Sequence, residues 1–455
     1  MIEDLDSLES KINRYCSFVP LMEKRTNTSV KSKFSLLKNE ISDSTTIFDF
    51  TNLVRRGLNL LNDGHTAITN KSSIKWFAEY SYLKSVTNAS IGDTLYADYY
   101  NKLVSDSVGS ICKSGIRAKY MDGKYYNGRA FRYNDRLINV GEEIKGIDGQ
   151  DINQFINDNY DHMFSLLWDS NNKIWYSDFF MLALPFMGKS SFVLTIGDEK
   201  IPIDSKVTVS DLEKEKFSTF SQPKVDIISD DILYIYMPMM MNAQWYINQI
   251  HEKYNNDIKK IIIDLRGNGG GDDSVWASIL SNLIDKPFGY SYQVGMNYNE
   301  ELKKSISSFG EVVVNDPIME VIRDRVIQPD DKSLKYAGKI YVLQDKYTFS
   351  AASAFVSAAL QDSDRFKVIG EKSSVISGYT FPPLVFKLDN SGLIFKLAFS
   401  MDLTGGINNQ YMDKVDVEIN DNINEYFDKI YKYDCHSKDY LENNDKLIKY
   451  IVEQF

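Results

Sequence analysis

The sequence predicts an α/β protein, and two stretches carry this prediction. In the first, three isoleucines at 261–263 read as a buried strand that runs through a glycine-rich loop into a helix at about 274–284. In the second, an apolar strand at 339–343 leads into an alanine-rich helix and then into another apolar strand at 366–369. Strand–helix–strand units normally join parallel strands by a right-handed crossover, so we expect a parallel sheet.

Composition excludes several classes of protein. The chain has 455 residues, of which 43% are hydrophobic and 25% charged, which indicates a globular protein of two or three domains. A net charge of −11 argues against nucleic acid or an anionic membrane surface as the main partner. The sequence has no apolar run near the roughly 20 residues of a membrane span. We expect a cytoplasmic protein, unless a leader has been removed, because the first residues are acidic and polar.

The cysteines give no sign of a disulfide framework or a metal cluster. Cys16, Cys112 and Cys435 are odd in number and lie far apart. His251-Glu252 is not followed by a histidine at the spacing of the zinc proteases. We therefore expect no metal and no cofactor.

Changes in pattern divide the chain into three regions. Residues 1–100 show helical spacing of apolar residues, and this helical region ends in a turn at Gly64. Residues 101–210 are β-rich, with glycine turns over 140–150, a short helix, and a hairpin over 192–203. Residues 211–455 hold the two strand–helix stretches and a predicted helix at 441–452. Residues 285–337 are too long for a plain connection and predict a lid, or an inserted hairpin and helix.

The β-rich region resembles a PDZ domain, in which the edge of a sheet takes up an extended peptide. Glycine-punctuated hairpins also occur in many other folds. An ordinary β-module without a ligand is therefore the alternative.

Ser350 is the candidate nucleophile. It falls where the strand at 339–343 gives way to the helix that starts at Ala351. Unpaired backbone N–H groups and the positive end of a helix dipole favour developing negative charge at such a place. Serine is also among the commonest N-cap residues, so ordinary capping is the alternative until partners are found.

The glycine-rich loop at 264–271 is a second candidate. It does not fit a dinucleotide site, because Asp272 fills the position of the last glycine and Asp273 adds a charge that repels a pyrophosphate. It does not fit an ATP loop, because no Lys-Ser or Lys-Thr pair follows. Its free N–H groups either stabilise a tetrahedral oxyanion or belong to a tight turn. We interpret Asp264 and Arg266 as a structural ion pair.

His65 is the candidate base. Of the four histidines, it alone lies on a sharp turn beside an acid, in the sequence Asp63-Gly64-His65-Thr66. A histidine in such a turn is either a surface residue or a general base. A base with an unperturbed pKa of about 6.5 predicts activity that rises from roughly pH 6 to 7.5.

Taken together, the motifs at 264–270, 348–352 and 369–371 resemble the tail-specific (C-terminal processing) serine peptidases. The resemblance implies a crotonase/ClpP-like catalytic core. It makes Ser350 the nucleophile and places the N–H groups of Gly270 (or Gly269) and Ala351 in the oxyanion hole. The histidine-using branch, similar to the tricorn core and the retinoid-binding-protein-like peptidases, has an Asp-Gly-His-Thr turn, which makes His65 the base.

The other branch of the family activates its serine with a lysine. The matching positions 374–378 contain no lysine, and Lys372 is out of register. The histidine-using branch is therefore the expected one.

Two positions depart from the family's pattern. Ser353 stands where the family often has glutamate. Asn409, flanked by Gln410, stands where the histidine branch has the glutamate that orients its base. Either Asn409 is a weaker orienter, as in Cys-His-Asn sites, or an acid such as Asp402 takes this role, or activity is reduced.

We expect a serine endopeptidase that acts on protein or peptide substrates. The alternative is a weak or inactive protein that binds peptides or apolar ligands on the same fold. An acyl-CoA enzyme of the crotonase fold is a third reading, but it leaves the Asp-Gly-His-Thr turn unexplained.

Overall fold

A computed structural model describes residues 1–69, 86–89, 116–189, 191–203, 208–209, 222–374, 376, 378–406 and 414–455. The chain divides into two compact units. The first unit contains Met1–Lys214, Met296–Ser305 and Phe381–Ser400. The second contains Glu215–Gly295, Ile306–Thr380 and Met401–Phe455. The three predicted domains, 1–100, 101–210 and 211–455, stay a prediction.

The described residues form a mixed α/β protein with several sheets. Its α-helices are α1 (Ile2–Tyr15), α2 (Val19–Thr26), α3 (Val30–Asn39), α4 (Ile47–Asn59), α5 (Ile152–Asp158), α6 (Ala243–Lys253), α7 (Asp273–Leu283), α8 (Glu300–Ile306), α9 (Ala351–Ala359), α10 (Ile423–Tyr431), α11 (Lys438–Asn443) and α12 (Lys446–Gln454). Its strands are β1 (Ala67–Ile68), β2 (Ala118–Met121), β3 (Lys124–Asn127), β4 (Phe131–Tyr133), β5 (Arg136–Ile138), β6 (Glu143–Ile147), β7 (Gln150–Asp151), β8 (Leu167–Asp169), β9 (Ile174–Tyr176), β10 (Phe192–Ile196), β11 (Glu199–Ile203), β12 (Thr208–Val209), β13 (Lys224–Ile228), β14 (Ile232–Tyr236), β15 (Lys260–Asp264), β16 (Phe288–Asn297), β17 (Glu311–Asn315), β18 (Ile318–Ile327), β19 (Ile340–Gln344), β20 (Phe366–Gly370), β21 (Leu384–Lys387), β22 (Ile394–Leu397), β23 (Ser400–Asp402) and β24 (Val417–Glu418). Across these residues, no helix is both long and apolar enough to cross a membrane.

The first unit begins with helices α1 to α4, which bury apolar faces against one another. Helix α4 starts at a capping box in which Thr46 and Asp49 satisfy each other's backbone N–H groups. The chain leaves α4 through the Asp63–Thr66 turn and enters β1. Strand β1 pairs antiparallel with β22, and β22 pairs with β21.

The β-rich part of the first unit contains a sheet in the order β11-β10-β6-β3-β2. Strands β10 and β11 form the predicted hairpin, with Gly197 at φ 59° in its turn. Helix α5 follows β7, where the sequence predicts a short helix. The local predictions are confirmed, while the likeness to a PDZ domain stays a prediction.

The second unit is built on a sheet in the order β13-β14-β15-β19-β20-β24. Strand β13 lies at one edge and pairs antiparallel with β14. The other neighbouring pairs of this sheet, β14-β15, β15-β19, β19-β20 and β20-β24, are parallel. Both predicted strand–helix stretches are confirmed, as β15 to α7 and as β19-α9-β20. Isoleucine and leucine side chains of these strands pack against Leu447 and Ile451 of α12.

The predicted C-terminal helix is two helices, α11 and α12, because Asp445 interrupts it. The carboxylate of Asp445 caps α12 by accepting the N–H groups of Leu447 and Ile448. It also forms a buried ion pair with Arg266, at 2.8 Å. Residues 285–337 contain β16, α8 and the hairpin β17–β18, so the prediction of an inserted hairpin and helix is confirmed.

The topology of the second unit brings two loops together. Strands β15 and β19 are parallel neighbours, and Asp264 at the end of β15 is paired with Leu343 near the end of β19. The glycine-rich loop and the loop that leads to Ser350 therefore leave the same edge of the sheet side by side. The carboxyl edge of a parallel sheet is where such folds place their sites.

Candidate active site

Ser350 has a backbone conformation that side-chain-bearing residues rarely adopt. It lies at φ 54° and ψ −125°, immediately before α9. Such a conformation costs about 1–3 kcal/mol and persists only where the surrounding structure imposes it. The Ser350 side chain makes no capping hydrogen bond to α9. The geometry therefore does not fit the ordinary capping alternative.

Hydrogen bonds to the glycine loop hold the residues before Ser350. The Asp345 carboxylate accepts the N–H groups of Gly267 and Tyr347, both at 3.0 Å. The buried Thr348 hydroxyl donates to the Leu265 carbonyl at 3.0 Å. The two loops therefore form one hydrogen-bonded body, with Asp345 as a shared acceptor. Burial, together with the charge of Glu371, raises the pKa of Asp345 to about 6.

Gly270 lies directly against Ser350. A Cβ atom placed on Gly270 would stand 2.6 Å from the Ser350 Cβ and 3.0 Å from the Ala351 nitrogen. The φ of Gly270 is +99°, which also favours glycine. The structure therefore brings Gly270, Ser350 and Ala351 together, as the motifs predict.

Asn268 determines which N–H groups are available beside Ser350. Its side chain is fully buried; it accepts the Gly270 N–H at 2.8 Å and donates to the Met237 carbonyl at 2.7 Å. The Gly270 N–H is thus already engaged. Among the described residues, the N–H groups of the exposed Gly269 and of Ala351 have no hydrogen-bond acceptor.

The sequence analysis missed the positioning roles of Asn268 and Asp345. Asn268 is the only residue with a side chain among the five at 267–271, and a polar side chain inside a glycine run was the available signal. Asp345 directly follows a buried strand, where an aspartate commonly accepts backbone N–H groups of a turn.

His65 lies in the first unit, in the turn between α4 and β1. The Asp63 carboxylate accepts the His65 backbone N–H at 2.6 Å, and its Oδ1 stands 3.8 Å from His65 Nδ1. The His65 side chain is 17% exposed and that of Asp63 is 1% exposed. His65 is therefore a largely buried residue rather than a surface one. Its relation to Ser350 stays a prediction.

Burial controls the charges around His65. It lowers the pKa of His65 to about 3, helped by the positive charge of Lys396, and it raises the pKa of Asp63 to about 7. It also lowers the pKa of Lys396, which the negative charge of Asp63 opposes. The imidazole is thus neutral at neutral pH, and the sequence-based expectation of a pKa near 6.5 does not hold.

The two candidate orienters differ in what can be said of them. Asn409 lies outside the described residues. Asp402 is buried and accepts hydrogen bonds from the Ser357 hydroxyl (3.1 Å) and from the N–H groups of Tyr379 and Thr404 (both 2.9 Å). Burial raises the pKa of Asp402 to about 6. These contacts give Asp402 a structural task inside the second unit.

The interpretation of Asp264 and Arg266 as a structural ion pair is confirmed. Arg266 contacts Asp264 at 2.5 Å and Asp445 at 2.8 Å, and the Tyr234 hydroxyl donates to Asp264 at 2.7 Å. All four side chains are buried or largely buried. Lys372, the residue out of register, forms an ion pair with Glu418 at 2.8 Å. In the part of the chain that the structure describes, no cluster of metal-ligating side chains occurs.

A serine in a strained turn at a helix start lies against a glycine loop from the neighbouring parallel strand, an arrangement that can present a serine nucleophile. Residues 231–419 match the model described as Peptidase family S41. The chain therefore carries a peptidase domain of family S41. A comparison with curated proteins gave no match.

Solved structures of similar fold span nearly the whole chain. Mature CPAF complexed with lactacystin is 14% identical, with a TM-score of 0.55 over 98% of this chain and 99% of that chain. A second structure of mature CPAF is 13% identical, with a TM-score of 0.53 over 98% of each chain. The photosystem II D1 C-terminal processing protease is 13% identical, with a TM-score of 0.38 over 91% of this chain and 92% of that chain. At these identities, the likeness to CPAF is one of fold.

Proposed function

We propose that the chain is a serine endopeptidase that hydrolyses peptide bonds through an acyl-enzyme on Ser350, with His65 as general base. The observation that carries the proposal is the conformation of Ser350. Its strained backbone is held by hydrogen bonds from the glycine loop, which is how a fold presents a nucleophile rather than a cap.

The proposed reaction has two halves. The Ser350 hydroxyl oxygen attacks the scissile carbonyl carbon while His65 accepts its proton, and His65 then returns this proton to the leaving amine. Water, deprotonated by His65, next attacks the ester carbonyl. The bond between the acyl carbon and the Ser350 oxygen then breaks, and His65 returns the proton to that oxygen as the second product leaves. In both halves the carbonyl oxygen carries negative charge in the tetrahedral intermediate.

We assign the oxyanion hole to the N–H groups of Ala351 and Gly269. Gly270 is not one of the assigned donors, because Asn268 accepts its N–H. Its role is to leave space beside Ser350, where a Cβ atom would not fit. A donor of this kind is worth roughly 3–4 kcal/mol in the transition state. The start of α9 adds the positive end of a helix dipole.

The assignment of the base to His65 rests on the Asp63–Thr66 turn. The lowered pKa of His65 keeps the imidazole neutral at neutral pH but also makes it a weaker base. We therefore assign stabilisation of the imidazolium to the negative charge that develops on the substrate in the transition state. We assign the orientation of His65 to Asn409. The existing hydrogen bonds of Asp402 favour Asn409 over Asp402.

We also propose a fold for two of the three regions that the sequence predicts. We assign residues 211–455 to a crotonase/ClpP-like core, supported by the parallel strands from β14 to β24. We assign residues 101–210 to a PDZ-like module, supported by the antiparallel sheet β11-β10-β6-β3-β2 with helix α5. Limited proteolysis tests the boundaries, because cuts at the proposed junctions near 100 and 210 would release these regions intact.

A fluorophosphonate probe tests the function. We expect labelling of Ser350 in the wild type, none in Ser350→Ala, and strongly slowed labelling in His65→Ala. Ser274→Ala is the matched control, because Ser274 is an exposed serine near the start of another helix of the same unit. Equal labelling of the wild type and Ser350→Ala would rule the proposal out.

A further inference from the structure

Two of the five residues that follow β14 expose large apolar side chains, and this stretch lies beside the glycine loop. We call residues 237–241, with the sequence Met-Pro-Met-Met-Met, the methionine segment. Met237 and Met240 are 1% and 0% exposed, whereas Met239 and Met241 are 52% and 57% exposed. The segment thus buries Met240 and turns the side chains on either side of it to the surface.

Backbone hydrogen bonds fix the methionine segment to the loop that contacts Ser350. Met240 donates its N–H to the Gly270 carbonyl at 2.8 Å and accepts the Asp272 N–H at 3.0 Å. The Met237 carbonyl accepts the side-chain N–H of Asn268 at 2.7 Å. Gly270, which Met240 contacts, lies against Ser350. Each exposed methionine is therefore the chain neighbour of Met240, which is hydrogen-bonded to Gly270 in the wall of the candidate active site.

We propose that Met239 and Met241 form an apolar subsite that binds a substrate side chain near the scissile bond. The substrate class is unfolded polypeptide with apolar side chains of varied shape. This inference rests on the proposed function. If Ser350 cleaves peptide bonds, the peptide held against Ser350 is the molecule that contacts the exposed methionines.

Two properties of methionine support this choice of occupant. Its side chain is unbranched and polarisable, so it adapts to aliphatic and aromatic partners alike. Proteins that accept many partners use such surfaces because the surfaces can repack. A β-branched or aromatic wall, which is stiffer, would instead select one shape.

Two aspartates next to the methionine segment add a preference against acidic substrate side chains. Asp272 is exposed, and its backbone N–H is bonded to Met240. Asp273 follows it at the start of α7. A substrate glutamate or aspartate at the subsite meets these carboxylates as like charges, so the subsite disfavours acidic side chains.

Paired peptides test the subsite in the full chain. A quenched fluorescent peptide cut by the wild type is made in versions that carry Leu, Phe, Gln or Glu at each position flanking the cleaved bond. The variants are Met239→Gln, Met241→Gln and the double variant, with Met239→Leu and Met241→Leu as apolar controls. Val326→Gln is the surface control, because Val326 is 58% exposed on the inserted hairpin of the same unit.

We expect each glutamine variant to lower kcat/KM about tenfold for Leu and Phe peptides at one position, and to leave the Gln peptide unchanged. The leucine variants and Val326→Gln keep the wild-type preference. An equal fall for all peptides, or no change for any, overturns the subsite. A change of oligomeric state in the glutamine variants, with peptide preference intact, also overturns it and assigns the surface to a second copy.

Reaction with diisopropyl fluorophosphate separates this outcome from failure of the proposed function. Wild-type labelling at Ser350 with an unchanged rate in the glutamine variants keeps the peptidase proposal, whatever the peptides show. Absence of labelling in the wild type removes both proposals together.

Discussion

The loop that carries Ser350 and the turn that carries His65 are built in different ways. The Ser350 loop is held by long-range hydrogen bonds from a second loop, and its backbone is strained. The His65 turn is local, since its defining bond joins Asp63 to the backbone two residues later. Its unusual feature is charge rather than backbone geometry, because burial moves the pKa values of His65 and Asp63 in opposite directions.

This difference has a practical meaning. The Ser350 loop is packed against a second loop, so an added side-chain atom there displaces the backbone. The His65 turn is held by a local hydrogen bond, so its behaviour depends more on the charges buried around it. Substitutions at Ser350 and Gly270 therefore act through geometry. Substitutions at His65 and Asp63 act through protonation.

The largest expected effect separates strain from chemistry at Ser350. Ser350→Gly removes the nucleophile and should lower kcat by at least about 10⁴-fold. It should also raise the free energy of unfolding by about 1 kcal/mol, because glycine adopts φ 54° without strain. Peptide hydrolysis and chemical denaturation measure the two quantities. Ser350→Ala is the control, with the same loss of activity and no gain in stability; equal stability of both variants would contradict the strain.

His65 gives the next largest effect. His65→Ala should lower kcat/KM about 10³- to 10⁴-fold, because the serine loses its proton acceptor. In the wild type, a base must be neutral, and a pKa of about 3 keeps His65 neutral as the pH falls from 8 to 5. The pH profile of kcat/KM should therefore show no inflection at 6.5. An inflection there that persists in Asp63→Asn would contradict the burial of His65.

Gly270 tests the contact with the nucleophile. Gly270→Ala places a methyl group 2.6 Å from the Ser350 Cβ, so the loop must shift and kcat should fall about 10²-fold. Labelling by a fluorophosphonate probe should slow in proportion. Gly289→Ala is the matched control, because a Cβ at Gly289 in the same unit meets no atom within 4 Å. Full activity in Gly270→Ala would mean that the two residues do not touch.

Asp63 gives the smallest effect, which is one of stability. Burial raises its pKa from 3.8 to about 7, so its contribution is fully present below pH 3.8 and is lost as the pH rises through 7. Asp63→Asn removes that loss and keeps an oxygen that accepts the His65 N–H. The stability of Asp63→Asn relative to wild type should therefore increase from pH 5 to pH 8, by at most roughly 3 kcal/mol, because about two pH units of this range lie between pH 5 and the raised pKa, at about 1.4 kcal/mol each.

Thermal unfolding at pH 5 and pH 8 measures this difference. His65 is present in both proteins, so its own opposite contribution cancels to first order. A stability difference that stays constant between the two pH values would show that Asp63 is ionised in the fold throughout.

Much of the second unit follows from its sequence. Runs such as 261–263 are apolar on both faces, which is typical of buried parallel strands, and the helix starting at Ala351 is small and apolar on several sides. The break at Asp445 was missed although its signal is local, since aspartate is a preferred N-cap residue and caps α12 through the N–H groups of Leu447 and Ile448. The pKa of His65 was misjudged because its burial depends on the folded chain, and because Lys396, which adds a positive charge, lies on a strand more than 300 residues away.

The oxyanion donors illustrate the same limit at finer scale. The glycine run predicts that N–H groups lie beside Ser350, and it names Gly269 and Gly270 as candidates. Only the side chain of Asn268 distinguishes them, by engaging one and leaving the other. No periodicity or spacing contains this information.

The contact between Arg266 and Asp445 ties the loop that follows β15 to a helix near the end of the chain. On the ribosome, the strand and loop around Arg266 emerge almost 180 residues before the helix that Asp445 begins. Before that helix packs against the sheet, the Arg266 guanidinium can pair with Asp264 but not with Asp445. Burying a charge without its full set of partners is costly. The partners of the Arg266 guanidinium are therefore complete only once the helix that Asp445 begins has packed against the sheet.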